Sequence, residues 1–158
     1  MDRMDRLTAY MNAIVEEDME EEESLKVLCV LQNAWGDVSL PIIFKPNPLN
    51  KSAKTIKKIV GNNVFHFCNT TPVVTSTASG IAPIDSAHFR NVIKRMHQYD
   101  IILVCGKQAE KAVNVFKSEM NFDIPIHFIP HPASRSLSNV MLKEISLKIF
   151  SLNSAHQK

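Results

Sequence analysis

Four short apolar runs, each too brief to be a helix and each separated from the next by a helix-patterned segment, set the narrowest limit on what this chain can fold into. They are residues 25–31 (LKVLCVL), 63–68 (NVFHFC), 100–105 (DIILVC) and 126–129 (IHFI). None alternates polar with apolar residues as a strand with one wet face would. Runs of this kind suit strands buried on both faces, which is the condition of a parallel sheet. Helical spacing appears in residues 4–19, where Leu7, Met11, Ile14 and Val15 form one face. It recurs in residues 51–60, in 86–99 with Ser86 as a cap, from Gly106-Lys107 through Phe116, and in 137–150. The order is α-β-α-β-α-β-α-β-α. It predicts an α/β fold, a four-stranded parallel sheet with helices on both faces joined by right-handed crossovers. The Pro-rich stretch 41–48 and the Thr/Ser/Pro-rich residues 73–85 read as loops.

A parallel sheet brings all its strand C-termini to one edge, where open α/β sheets place their chemistry. Here that edge collects Asn33, Asn69, Lys107 and His131. The last of these is the most constrained. Residues 126–138, IHFIPHPASRSLS, run from a strand through His131, held between Pro130 and Pro132, into a helix. The prolines fix the backbone on either side of the imidazole. Ser134, Arg135 and Ser136 supply donors suited to phosphate. Each feature also has a plain structural reading: Asn33 and Asn69 as loop-capping residues, Phe44 as core, Trp35 as a plug at the sheet edge. Lys51, Lys54, Lys57 and Lys58 read as a solvated helix face. Lys107 after Gly106 is a weak phosphate signal by itself.

Composition narrows the classes. At 158 residues, 45% hydrophobic and 22% charged, the chain has the length and make-up of one globular domain. The domain is expected over residues 25–158, with residues 1–24 as an acidic helix packed on it or flanking it. No stretch is long and apolar enough for a membrane span, and the N-terminal residues have no secretory pattern. An intracellular location follows as the expectation, cytoplasmic or, in a eukaryote, nuclear. The net charge of +2 hides an asymmetry: residues 1–24 carry a net −7 and the remainder a net +9. A basic body permits a polyanionic partner without requiring one. Cys29, Cys68 and Cys105 match no zinc or iron–sulfur spacing and are expected as buried thiols. No cofactor or metal is expected, and the oligomeric state is open.

The order of these motifs resembles the uracil-DNA glycosylase superfamily. Members carry a first-strand loop of the type G-Q-D-P-Y-H or G-x-N-P-G, a later strand ending in Asn, and a final H-P-S-P-[LR] loop. The corresponding residues here are Leu31-Gln32-Asn33-Ala34-Trp35-Gly36, Phe67-Cys68-Asn69 and His131-Pro132-Ala133-Ser134-Arg135. The likeness spans about residues 25–150. It implies a strand order of 2-1-3-4 and metal-free hydrolysis of the N-glycosidic bond of uracil or another altered base in DNA. Under it, Asn33 orients the attacking water and Gln32 lies beside the base. Asn69 reads the base edge, and His131 stabilises the departing base. Arg135 is the wedge left in the duplex, and Phe44 is the aromatic on which the flipped base stacks. Ser134, Ser136 and Lys107 join Arg135 as DNA contacts. Three positions depart from the pattern, two of them by plain replacement: Leu31 replaces Gly and Ala34 replaces Pro. Trp35 stands where other members carry a Tyr or a Gly, and would narrow or reshape the base pocket. Ala34 and Trp35 favour a second reading, a glycosylase-fold module that binds nucleic acid, nucleotide or protein without catalysis, while Asn33, Asn69 and His131 together favour the first. A nucleotide-handling protein unrelated to repair is a third, and lacks a Gly-rich loop after the first strand.

Overall fold

The computed structural model describes residues 24–35, 40–77, 80–134 and 137–151. The helix expected over residues 4–19 and the acidic run that follows it lie outside the described residues. The described chain is α/β with a mostly parallel sheet. Strands β1 (Lys26–Leu31), β4 (Val64–Asn69), β6 (Ile101–Cys105) and β7 (Ile126–Ile129) correspond to the four apolar runs. Three further strands of two residues each, β2 (Ala34–Trp35), β3 (Ile43–Phe44) and β5 (Val74–Thr75), complete the set.

The residues form two units. One comprises residues 26–44 and 65–131 and holds the sheet, in the order β3-β4-β1-β6-β7. β1 and β6 are parallel, with Cys29 opposite Leu103, and β6 and β7 are parallel, with Val104 opposite Phe128. β4 runs the same way as β1, because Val64 N donates to Leu25 O and Thr70 N to Leu31 O. The expectation of four parallel strands is corrected at the edge. β3 adds a fifth strand, antiparallel to β4, with Phe44 opposite Phe67. It comes from the stretch read as a Pro-rich loop. Pro41 and Pro46 bracket it, and an edge strand tolerates nearby proline because one side makes no ladder bonds. Residues 73–85 are likewise not all loop, since β5 pairs in parallel with β2 as a separate two-stranded sheet.

Two helices cover one face of the main sheet: α2 (Ser86–Ile93) and α3 (Lys107–Phe116). Phe89, Val92 and Ile93 of α2 and Ala109, Ala112, Val113 and Phe116 of α3 pack with Leu28, Val30, Cys68, Ile102 and Val104. The alternate residues of the central strands, among them Val27, Cys29, Ile101 and Leu103, are equally buried. The apolar runs lack a period of two for this reason: neither face of β1 or β6 meets water. α2 is shorter than its pattern suggests, ending at Ile93 before a 3-10 turn at Met96–Gln98. Its cap is Asp85, not Ser86: the Asp85 carboxylate accepts from His88 N at 2.8 Å.

The other unit brings together residues 45–64 and 132–151. Helix α1 (Lys51–Val60) buries Ala53, Ile56, Ile59 and Val60 and leaves Lys51, Lys54, Lys57 and Lys58 exposed. Asn50 Oδ1 caps it, accepting from Ser52 N and Ala53 N, and Gly61 at φ +63° ends it. Helix α4 (Asn139–Ser146), capped by Ser138, packs against α1 and widens into a π turn at Leu147–Ser151. Lys58 Nζ donates to Asn139 Oδ1 between them.

Cys29, Cys68 and Cys105 are buried free thiols. Burial pushes the Cys29 and Cys68 thiols well up from their ordinary range, so neither is a thiolate at neutral pH. A thiol reagent should therefore titrate no cysteine in the folded protein and all three after denaturation. Rapid reaction of any of the three under native conditions would show that the strands open to solvent.

Candidate functional site

The C-terminal ends of the four parallel strands lie along one edge. In sheet order they present Asn69, then Gln32 and Asn33, then Gly106 and Lys107, then His131. A parallel strand ends with backbone groups that have no further ladder partner, so something else must satisfy them. Here Thr70, fully buried, does much of this. Its N–H donates to both Leu31 O and Gln32 O, and its hydroxyl donates to Gln32 O at 2.7 Å. Gln108, in the first turn of α3, donates its amide Nε2 to Thr70 Oγ1 at 3.1 Å and to Ala82 O at 2.6 Å. Asp85 N donates to Thr70 O, which ties the start of α2 to the end of β4.

Asn69 sits inside this net. Its backbone oxygen accepts from His88 Nε2 at 3.1 Å. A carbonyl only accepts, so that ring nitrogen carries the proton. Desolvation lowers the His88 pKa, while the Asn69 hydrogen bond and the Asp85 charge pull the other way. The ring is thus neutral at neutral pH. Asn69 as a residue is 7% exposed, and its carboxamide makes no hydrogen bond among the described residues. Its backbone is held on both sides, yet its own donors and acceptor are left open. Strand alternation puts Asn69 on the same sheet face as Phe67 and Phe65, opposite the core of α2 and α3 to which Cys68 belongs. Phe44, half-buried, lies on that face too, its ring edge-on to Phe67 at 6.1 Å.

Asn33 is placed at the same edge, but its carboxamide is fully engaged. Nδ2 donates to Ala34 O at 2.9 Å, Thr75 Oγ1 at 3.2 Å and Gly80 O at 3.3 Å, and Oδ1 accepts from Ala82 N at 3.1 Å. Gln32 is half-buried, with its carbonyl taken up by Thr70. The backbone of Trp35 is in β2, opposite Thr75. Lys107 is exposed at the first position of α3. Ser134 belongs to the other unit, where its carbonyl accepts from Leu137 N, and Arg135 and Ser136 lie outside the described residues.

His131 is half-buried, and burial lowers its pKa, so it too is neutral at neutral pH. It lies against Gly106, where an added Cβ would stand 3.2 Å from His131 Cβ. Gly106 has φ +92° and ψ 175°, a conformation open essentially to glycine alone. Gly106 N donates to Ile129 O, which closes β6 onto the start of the His131 loop. For both histidines the unfolded chain binds the proton more readily. Stability should therefore fall as pH drops through the imidazole range.

Thr70, Asp85, His88 and Gln108 escaped the reading of the sequence. Asp85 and His88 have only the spacing of a helix cap, and Thr70 and Gln108 belong to no chemical motif. Among the described residues no cluster of His, Cys, Asp and Glu could hold a metal ion, and no helix is long and apolar enough to cross a membrane. The edge presents amide, hydroxyl and neutral imidazole groups, with Asp85 the one acid engaged in the net. Lys107 adds an exposed ammonium group at the same edge. No protein-family model and no curated protein matches the chain.

Gly106→Ala should cost about 1–3 kcal/mol and disturb the His131 loop, because the new methyl meets His131 in a backbone state that alanine resists. Thermal unfolding together with the His131 imidazole NMR signals reads both effects. Unchanged stability with unchanged His131 signals would show that this glycine is not required.

Proposed function

We propose that the protein recognises an altered base in DNA and hydrolyses its N-glycosidic bond. The observation that carries this reading is the Asn69 side chain, nearly buried at a strand end with its hydrogen-bonding groups open. A carboxamide presents a donor and an acceptor side by side, which is what a pyrimidine edge needs to be distinguished. Phe44, on the same sheet face, is the aromatic against which an extruded base stacks, offsetting part of the cost of leaving the helix. In the hydrolysis, water oxygen bonds to the sugar carbon as the bond to the base nitrogen breaks; the bonding pair leaves with the base, and the proton that the water gives up ends on the released base. The neutral His131 ring donates a hydrogen bond to the oxygen that gains this charge. A fixed donor in a site shielded from water lowers such a barrier without rearranging. Ser134, Ser136 and Lys107 hold the phosphates, Arg135 enters the duplex where the base has left, Gln32 and Trp35 border the base, and Asn33 orients the water. The order of the parallel strands, β4-β1-β6-β7, supports the glycosylase likeness. So does burial of both faces of β1 and β6, which a three-layer arrangement with helices on each face requires.

One observation favours the second reading, a module of the same architecture that binds without excision. Every polar atom of the Asn33 carboxamide already serves the protein backbone or Thr75, which competes with holding a water.

A panel of oligonucleotides, each bearing one altered base, tests both, with abasic sites scored alongside binding. The glycosylase reading predicts excision of at least one base, and a loss of about 10²–10³-fold in rate for His131→Ala. Selective binding with no excision would move the conclusion to the binding module. Indifference to every altered base, in binding and excision alike, would remove the glycosylase reading and leave only a module for another nucleic acid, a nucleotide or a protein.

A further inference from the structure

The positive charge of the chain is not spread evenly. Residues 26–44 and 65–131 carry seven Lys/Arg and six Asp/Glu, whereas residues 45–64 and 132–158 carry nine Lys/Arg against Glu144 alone. Five of those nine fall in residues 45–64, which contain no acid. Lys51, Lys54, Lys57 and Lys58 are exposed on α1, on the side away from the buried Ala53, Ile56, Ile59 and Val60. At about 100° per residue the four fit within about 120° of the helix surface. Among the described residues Lys51, Lys54 and Lys57 make no ion pair or hydrogen bond, and Lys58 bonds the uncharged Asn139 amide. Like charges one turn apart repel by about 0.2–0.5 kcal/mol per pair, which an opposed row of acids would relieve.

The chain supplies such a row. Residues 16–23 hold seven acids and no base. The described chain that follows them is fastened beside the end of α1. Leu25 N donates to Asn63 Oδ1 at 3.0 Å, and Val64 N donates to Leu25 O at 3.0 Å. Asn63 Nδ2 in turn donates at 2.8 Å to the carbonyl of Val60, the last residue of α1. Glu23 therefore stands two residues in sequence from a residue bonded to the turn that closes α1, and Lys57 and Lys58 occupy the last turn of that helix. Ten helical residues extend about 15 Å. Eight residues of chain can reach up to about 26–29 Å, enough to pass all four lysines.

We propose that the acidic run, residues 16–23, docks on the lysine row of α1 and shields it from polyanions, so that a nucleic acid must displace the run to use that face. The two charges match in size: residues 1–24 carry a net −7, and residues 45–64 and 132–158 a net +8. Attraction between exposed rows acts within a Debye length, about 10 Å at 0.1 M salt, so the contact is one that salt weakens. It is independent of the excision reading, because no residue of the Asn69 site takes part in it.

Zero-length carbodiimide cross-linking of the full chain joins a carboxylate to a lysine only where the two meet. At low salt, mass spectrometry of the monomer should find residues 20–23 linked to Lys51, Lys54, Lys57 or Lys58 in preference to Lys94, Lys111 and Lys117, which are also exposed. These links should vanish at about 0.5 M salt. A single-stranded oligonucleotide of unaltered bases should suppress them. The combined variant E20Q/E21Q/E22Q/E23Q should bind that oligonucleotide about threefold or more tightly than the wild-type chain. The gain should be lost when Lys51→Gln, Lys54→Gln and Lys57→Gln are added, because the two sets of substitutions then remove one interaction. A mere change of net charge would keep it, and a gain that survives loss of the lysines refutes the contact. Cross-links spread evenly over the exposed lysines, or found between two copies and not within one, refute it as well. Links that form on α1 but do not yield to the oligonucleotide would overturn the shielding.

Discussion

All the hydrogen-bonding groups of Thr70 are in use, and the candidate site takes its shape from them. The N–H reaches the end of β1, the hydroxyl links β1 to the first turn of α3, and the carbonyl takes the N–H of Asp85 before α2. One fully buried residue therefore joins two strand ends and two helix starts. Each bond contributes only about 0.5–1.5 kcal/mol net, but leaving any of these buried groups unpaired costs about 1–3 kcal/mol. That asymmetry makes the net all-or-none. It also explains how Asn69 can sit nearly buried with an open side chain: the surrounding backbone is secured without it.

A similar separation of support from contact recurs along the edge. Gly106 has no side chain, and its absence gives room to His131. Gln108 touches two other parts of the chain and holds both. Asn33, which the sequence offers as a chemical residue, is bonded as a support. Among the described residues the Asn69 carboxamide is left open, beside Thr70, whose bonds are all internal. Preorganisation of this kind is what both selective binding and electrostatic stabilisation of a leaving group draw on.

The α/β class was legible because strands buried on both faces have no choice but to be apolar throughout, as Val27 to Leu31 and Ile101 to Cys105 are. The edge was legible too, since parallel strands must end together, and Asn69 and His131 stand at such ends. Two-residue strands were not legible. Ile43–Phe44 and Val74–Thr75 are too short to carry a period, and their partners come from elsewhere in the chain. The bonds of Asn33 were hidden for the same reason, since Thr75, Gly80 and Ala82 lie more than 40 residues away. A cap one residue earlier than expected, Asp85 in place of Ser86, reflects the reach of a carboxylate to His88 N. A hydroxyl at Ser86 would have needed the helix to start later.

The central claim is that the open carboxamide of Asn69 meets a base. Its side-chain NH₂ resonances in a ¹⁵N-labelled protein, assigned by their loss in Asn69→Ala, report on this directly. The protein is titrated with an oligonucleotide carrying one uracil, then with others from the altered-base panel, against the same sequence with thymine. At least one altered base should move the Asn69 NH₂ signals saturably, and by more than the thymine control does. Saturating binding of every oligonucleotide with those signals unmoved would contradict the account.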